Sequence, residues 1–187
     1  MTLTAILPSL RASIPDPLDP SAWPVHTETT TDDVRVSAVS MSRLADVAGT
    51  PCVHTAEEAP PRYRSRDWTP RGMSVAVAAV TGVWRTHDGL VLELDAVLPA
   101  CAVLDEARLI GRRTTAPRAT AVVGGARADG GTAVLVVPAD VAVGDLVCLP
   151  CRRALTRREV AAAVPSAVPP TVASAELPAA AAAGVSR

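Results

Sequence analysis

Between Met73 and Cys151 the chain is a succession of short apolar runs separated by turn signals, and such a pattern has few ways to bury itself. "SVAVAAVTGVW" and "GLVLELDAVL" flank "RTHDG", whose Asp88-Gly89 step favours a tight hairpin. "TAVVGG" and "TAVLVVP" flank "ARADGG", a second hairpin. "PADVAVGD" reads as a turn through Pro138 and Gly144, and "LVCLPC" as a further strand. Between the hairpins, "AVLDEARLIGRR" fits either a helical turn or a bent strand. Short strands at this regular spacing predict a β-barrel or sandwich.

Upstream, "DVRVSAVS" (Asp33 to Ser40) sets Val34, Val36 and Ala38 on one face and predicts a strand. "MSRLADVAG" predicts a two-turn helix, with Ser40 or Ser42 able to cap its start and Gly49 suited to its exit. Pro51 biases Thr50 away from helix, so "TPCVHT" is expected to be extended. "EEAPPRYRSRDWTPRG" is a charged, Pro-rich loop, and "CRRALTRREV" is compatible with a short helix. The expected organisation is a flexible segment over 1–21, one β-domain over 22–158 and a disordered Ala/Pro-rich tail over 159–187.

Composition narrows the function. Net charge is −1, so nucleic-acid binding and a polybasic membrane patch are not expected. No apolar run approaches the ~20 residues of a membrane span. The N-terminal residues lack the basic and long apolar regions of a secretory signal, which makes a cytoplasmic location the expectation. Four Cys in such a setting read as thiols and not as a disulfide framework. All 18 basic residues are Arg. Without a Lys, the chain cannot form a lysine Schiff base with pyridoxal phosphate (PLP) or any carbonyl substrate.

Cys148 and Cys151 form a C-x-x-C, and with Cys52 and His54 they would supply four ligands of a type that zinc accepts. A second C-x-x-C at knuckle spacing is missing. On a regular strand Cys148 and Cys151 would also point to opposite faces. Buried structural thiols are therefore the expectation, with no metal and no cofactor, and the zinc or thiol reading stays as the alternative. A redox C-x-x-C would want a helix after a strand, and the thioredoxin-type setting is absent. His26, His54 and His87 are scattered. The carboxylate pairs Asp32-Asp33, Glu57-Glu58 and Asp105-Glu106 are chain neighbours whose side chains diverge.

Taken in order, the segments resemble a known family. "WPVHTETTTDDVRVSAVSMSRLADVAGTPCVHTAEEAPPRYRSRDW" is similar to the N-terminal lead-in of actinobacterial diaminopimelate decarboxylases, which are fold-type III PLP enzymes. "VAAVTGVWRTHDGLVLELDAVL", "DEARLIGRR" and "VVGGARADGGTAVLVVPADVAVGDLVCLPCRRAL" resemble that family's C-terminal β-domain, and the likeness runs from about Ala22 to Leu155. In the family the "GTP" segment enters a PLP-binding barrel of roughly two hundred residues. Here that barrel is missing between about Trp68 and Met73. The resemblance implies a mainly β fold like the decarboxylase/alanine-racemase C-terminal domain, as a barrel or sandwich with one short N-terminal helix.

The resemblance also places the family's functional positions. The Schiff-base Lys and the phosphate loop are lost with the barrel. The family's Cys-Glu pair falls near Arg127 and Ala128, its substrate-binding Arg near Cys101 or Ala102, and the Tyr of that motif at Asp105. The cofactor-contacting Tyr falls at Leu155 and the Gly before it at Arg153. Asp95 keeps the Asp of "VDGG", while Ala96 and Val97 replace its glycines. The implied function is that of a non-catalytic, pseudoenzyme-like binding or oligomerisation module. Its expected partner is a second copy of itself or a full-length PLP decarboxylase, through which it would act on lysine or polyamine metabolism. The alternative is a subunit that contributes to decarboxylase activity.

Overall fold

The computed structural model describes residues 13–87, 89–124 and 131–161. A small antiparallel sheet comes first, made of β1 (Thr27–Thr29), β2 (Val34–Val36) and β3 (Val39–Ser40), and helix α1 (Met41–Ala48) follows. Then come β4 (Cys52–Glu57), β5 (Gly72–Thr86), β6 (Gly89–Leu94) and a 3-10 turn at Leu104–Glu106. β7 (Arg108–Ile110), β8 (Arg118–Gly124), β9 (Ala133–Pro138), β10 (Leu146–Cys151) and a helical turn, α2 (Arg157–Val160), complete the order. The protein is mainly β, and its large sheet curls into a half-barrel with strand order β7-β10-β5-β6-β8-β9.

β5 is long enough to serve two sets of neighbours. Its first half lies between β4 and β10, so that Val77 faces Cys52 on one side and Cys148 on the other. Its second half pairs with β6, from Val80 opposite Leu94 to Thr86 opposite Gly89. The register shifts between Val80 and Gly82, a bulge of the kind that bends a strand and increases its twist. Val80 exchanges backbone bonds with Asp145 and Gly144, just before β10 (2.8 Å each), whereas the Ala79 carbonyl accepts from Asp95, just after β6 (3.1 Å). β4 and β6 therefore share one edge of β5, end to end.

Burial is unbroken from Met73 to Ala78 because both faces of β5 are covered. Val75 and Val77 pack with Trp23, Val34, Met41 and Cys148 on one face. Ala78 and Val80 join Leu92, Ala121, Leu135 and Leu149 in the half-barrel's own core. Trp23 anchors the lead-in: its indole N–H donates to Glu106 (2.8 Å), which also accepts from Arg108 (2.9 Å). Arg108 donates in turn to the Pro17 carbonyl (2.8 Å).

Both hairpins form, β5 with β6 and β8 with β9. Ser40 caps α1, its Oγ accepting from the Arg43 N–H (3.1 Å), and Gly49 ends the helix at φ 70°. The single strand expected over Asp33 to Ser40 is instead a hairpin of β2 and β3. Ser37 and Ala38 turn it with φ of 49° and 68°. Those values normally call for Gly or Asn, so the turn carries no compositional mark. The segment that fitted either a helical turn or a bent strand holds both, the 3-10 turn and then β7. "CRRALTRREV" ends in α2, fixed by a capping box between Thr156 and Glu159. Val160 is buried and its carbonyl accepts from Val97 (3.0 Å). Residues 162–187, most of the expected tail, lie outside the described residues.

Candidate functional site

The four candidate zinc ligands do not meet. Cys52, His54 and Cys148 share one face of the sheet, but Cys52 and Cys148 stand on either side of Val77. Two strand spacings separate them, roughly 10 Å, whereas one tetrahedral ion holds each sulfur at about 2.3 Å. Cys151, three residues after Cys148 on a regular strand, belongs to a different cluster on the opposite face. Among the described residues, no group of three or more His, Cys, Asp or Glu is arranged to hold a metal. All four cysteines are free thiols. Burial pushes the Cys52 thiol up, pushes Cys148 far above its usual value and pushes Cys151 up to about 12. Those three thiols stay protonated at neutral pH, which makes them poor metal ligands.

The positions singled out by resemblance divide. Cys101, Ala102 and Leu155 come together around Ala76, Cys151 and Val160 in one small apolar cluster. The Asp95 carboxylate accepts from the Ala79 N–H (2.8 Å) beside the β5 bulge, a structural use. Ala96 bridges to Ala161, and Asp105 lies in the 3-10 turn. Arg153 is exposed and pairs with Glu159 (2.8 Å). Arg127 and Ala128 lie outside the described residues.

A polar cleft of about 60 Å3 opens between the lead-in, the β1–β2 turn and β7, and Arg108, Arg112 and Arg118 reach it. All three guanidiniums have carboxylate partners. Arg112 forks onto both oxygens of Asp145 (2.7 Å each) and reaches Asp140 (3.0 Å). Arg118 pairs with Asp16 at 3.6 Å, and Arg108 pairs with Glu106. At Asp140, burial works against ionisation, but the hydrogen bonds from Arg112 and Thr114 outweigh it and hold the carboxyl below its usual value. Arg108 Nε is buried without a partner. With its charges matched, the cleft ties the lead-in and the 140–145 turn to β7.

The outer face of the half-barrel differs. Trp84 stands opposite Val91, Val91 beside Val122, and Val122 opposite Val134. Side chains in register share a face, so one apolar row crosses β5, β6, β8 and β9. Trp84 is 47% exposed, Val122 40% and Val134 43%. The next row on that face is Gly82, Glu93 and Gly124, and the Trp84 indole lies over Gly82. β9 is the last strand on this side of the sheet and carries no charged residue. Arg118 donates to one of its carbonyls, that of Val136 (3.0 Å).

No protein-family model matches the chain, and no curated protein does. The sequence did not signal the row, because four strands from separate segments contribute one residue each. Nor did it bring Cys101 to the cluster of Cys151, which happens where the chain before the 3-10 turn crosses the end of β10.

Proposed function

We propose that the chain is a non-catalytic association module of the diaminopimelate decarboxylase type, without the PLP-binding barrel, and that it pairs with a second copy of itself. The row from Trp84 to Val134 carries this reading. A domain that has lost a covering partner either recoats its apolar face or finds a new neighbour, and this face is not recoated. A second copy fits best because the row is uncharged and the net charge of −1 sets up little repulsion between copies. Two identical β9 strands related by a two-fold axis would extend the row across the pair. The apolar filling of Cys101, Ala102 and Leu155 supports the absence of decarboxylase chemistry, as does the absence of any Lys.

Light scattering on a sizing column tests the reading, with the protein alone and mixed with a full-length diaminopimelate decarboxylase. The expected result is a dimer that ignores the decarboxylase. Val134→Lys should convert it to a monomer with an unchanged circular dichroism spectrum, since a charge on an edge strand blocks pairing. A wild-type monomer that moves onto the decarboxylase peak would replace self-pairing with a regulatory subunit, and a monomer that ignores it would end both.

A further inference from the structure

We propose that Cys101 and Cys151 form a reversible dithiol that a hydroperoxide oxidises to a disulfide. The C-x-x-C motif pairs Cys151 with Cys148 and the family resemblance gives Cys101 no thiol role, so neither points to this pair. Ala102 stands opposite Cys151 in an isolated bridge. The Arg152 N–H donates to the Cys101 carbonyl (3.0 Å) and the Val103 N–H to the Pro150 carbonyl (2.9 Å). Those two bonds bracket the bridge and lay the 101–103 segment along the end of β10. The Cys101 side chain packs on the cluster that contains Cys151. Cys148, by contrast, faces the other core across the sheet.

The two thiols differ in access, which assigns their roles. Cys101 is the one half-buried cysteine of the four, and Cys151 is fully enclosed. A small oxidant in water therefore meets Cys101 first. The Arg153 guanidinium, which donates to Glu159 (2.8 Å), lies near Cys101, where its charge stabilises the negative charge that builds on a breaking O–O bond. In the first step the Cys101 sulfur attacks a peroxide oxygen. An S–O bond forms, the O–O bond breaks, and water leaves with the Cys101 proton. In the second step the Cys151 sulfur attacks the resulting sulfenic acid. An S–S bond forms, the S–O bond breaks, and the hydroxyl leaves as water with the Cys151 proton. Two thiols lose two electrons in total, and one hydrogen peroxide becomes two waters.

Peptide mapping of the intact chain tests the pair. The reduced protein is treated with hydrogen peroxide under native conditions, alkylated and digested with trypsin. With no Lys, cleavage follows Arg only, so Cys101 falls in peptide 86–108 and both Cys148 and Cys151 fall in peptide 128–152. The expected product is a covalent link between these two peptides that dithiothreitol reverses. The link should persist in Cys148→Ala and Cys52→Ala and vanish in Cys101→Ser, a half-buried substitution that leaves the fold intact. A link that survives Cys151→Ala would overturn the proposal. So would oxidation of Cys101 to sulfinic acid while Cys151 remains a thiol.

Discussion

Gly82 owes its lack of a side chain to Trp84: a Cβ there would fall 2.3 Å from the indole. The obstructing atom is the far end of a side chain that is already half exposed, so the ring can swing away. Gly82→Ala should therefore shift tryptophan emission to the red and cost no more than about 1 kcal/mol in urea unfolding. It should also weaken the proposed dimerisation, because the displaced ring no longer lies over Gly82. Glu106 is more demanding. It is the shared acceptor of the Trp23 indole and the Arg108 guanidinium, both of which are nearly buried. Glu106→Gln keeps an acceptor for Trp23 but leaves the Arg108 charge uncompensated. The expected loss is roughly 3 kcal/mol in the same urea titration.

At the level of elements, small polar groups hold the short helices to the sheets. Ser40 accepts from the Arg43 N–H and donates to Asp33, thereby coupling the start of α1 to β2. Ser40→Ala should cost about 1–2 kcal/mol, read as a lower urea midpoint at constant slope. In α2, the backbone N–H of Thr156, the Arg153 guanidinium and the Thr156 hydroxyl together lower the Glu159 pKa from 4.5 to about 2. A carboxyl lowered in the folded state contributes stability above its unfolded value and loses it as pH falls toward the folded one. The α2 cap should thus loosen between pH 4.5 and about 2. Amide exchange at Ala161, whose N–H donates to the Arg157 carbonyl, reports the change, and Glu159→Gln should remove its pH dependence.

For the whole molecule, the half-barrel is the feature with consequences. A closed barrel has no edge, whereas an open one ends in strands whose backbone groups and outer side chains need a neighbour. Self-pairing through an uncharged row would be insensitive to ionic strength. The proposed dimer should persist on a sizing column from about 0.1 M to 1 M salt, although the screening length falls from about 10 Å to about 3 Å over that range. A dimer that dissociated at high salt would instead implicate the exposed ion pairs, such as Arg153 with Glu159.

Local chemistry was legible in the sequence wherever one residue type imposes one geometry. Asp88-Gly89 marked the β5–β6 hairpin, Gly49 marked the end of α1, and the alternation of "TAVLVVP" marked β9. Two C-x-x-C sulfurs on opposite faces followed from the period of a strand. The turn at Ser37-Ala38 was hidden because neither residue favours the left-handed region it occupies. Register and strand order were hidden for a deeper reason: backbone hydrogen bonds are the same for every residue, so nothing local says which strand lies beside which. Only the tertiary structure brought Trp84, Val91, Val122 and Val134 into one row and carried Cys101 to Cys151. Partners from such distant segments are selected by the burial of the whole core, which no single stretch of the chain contains.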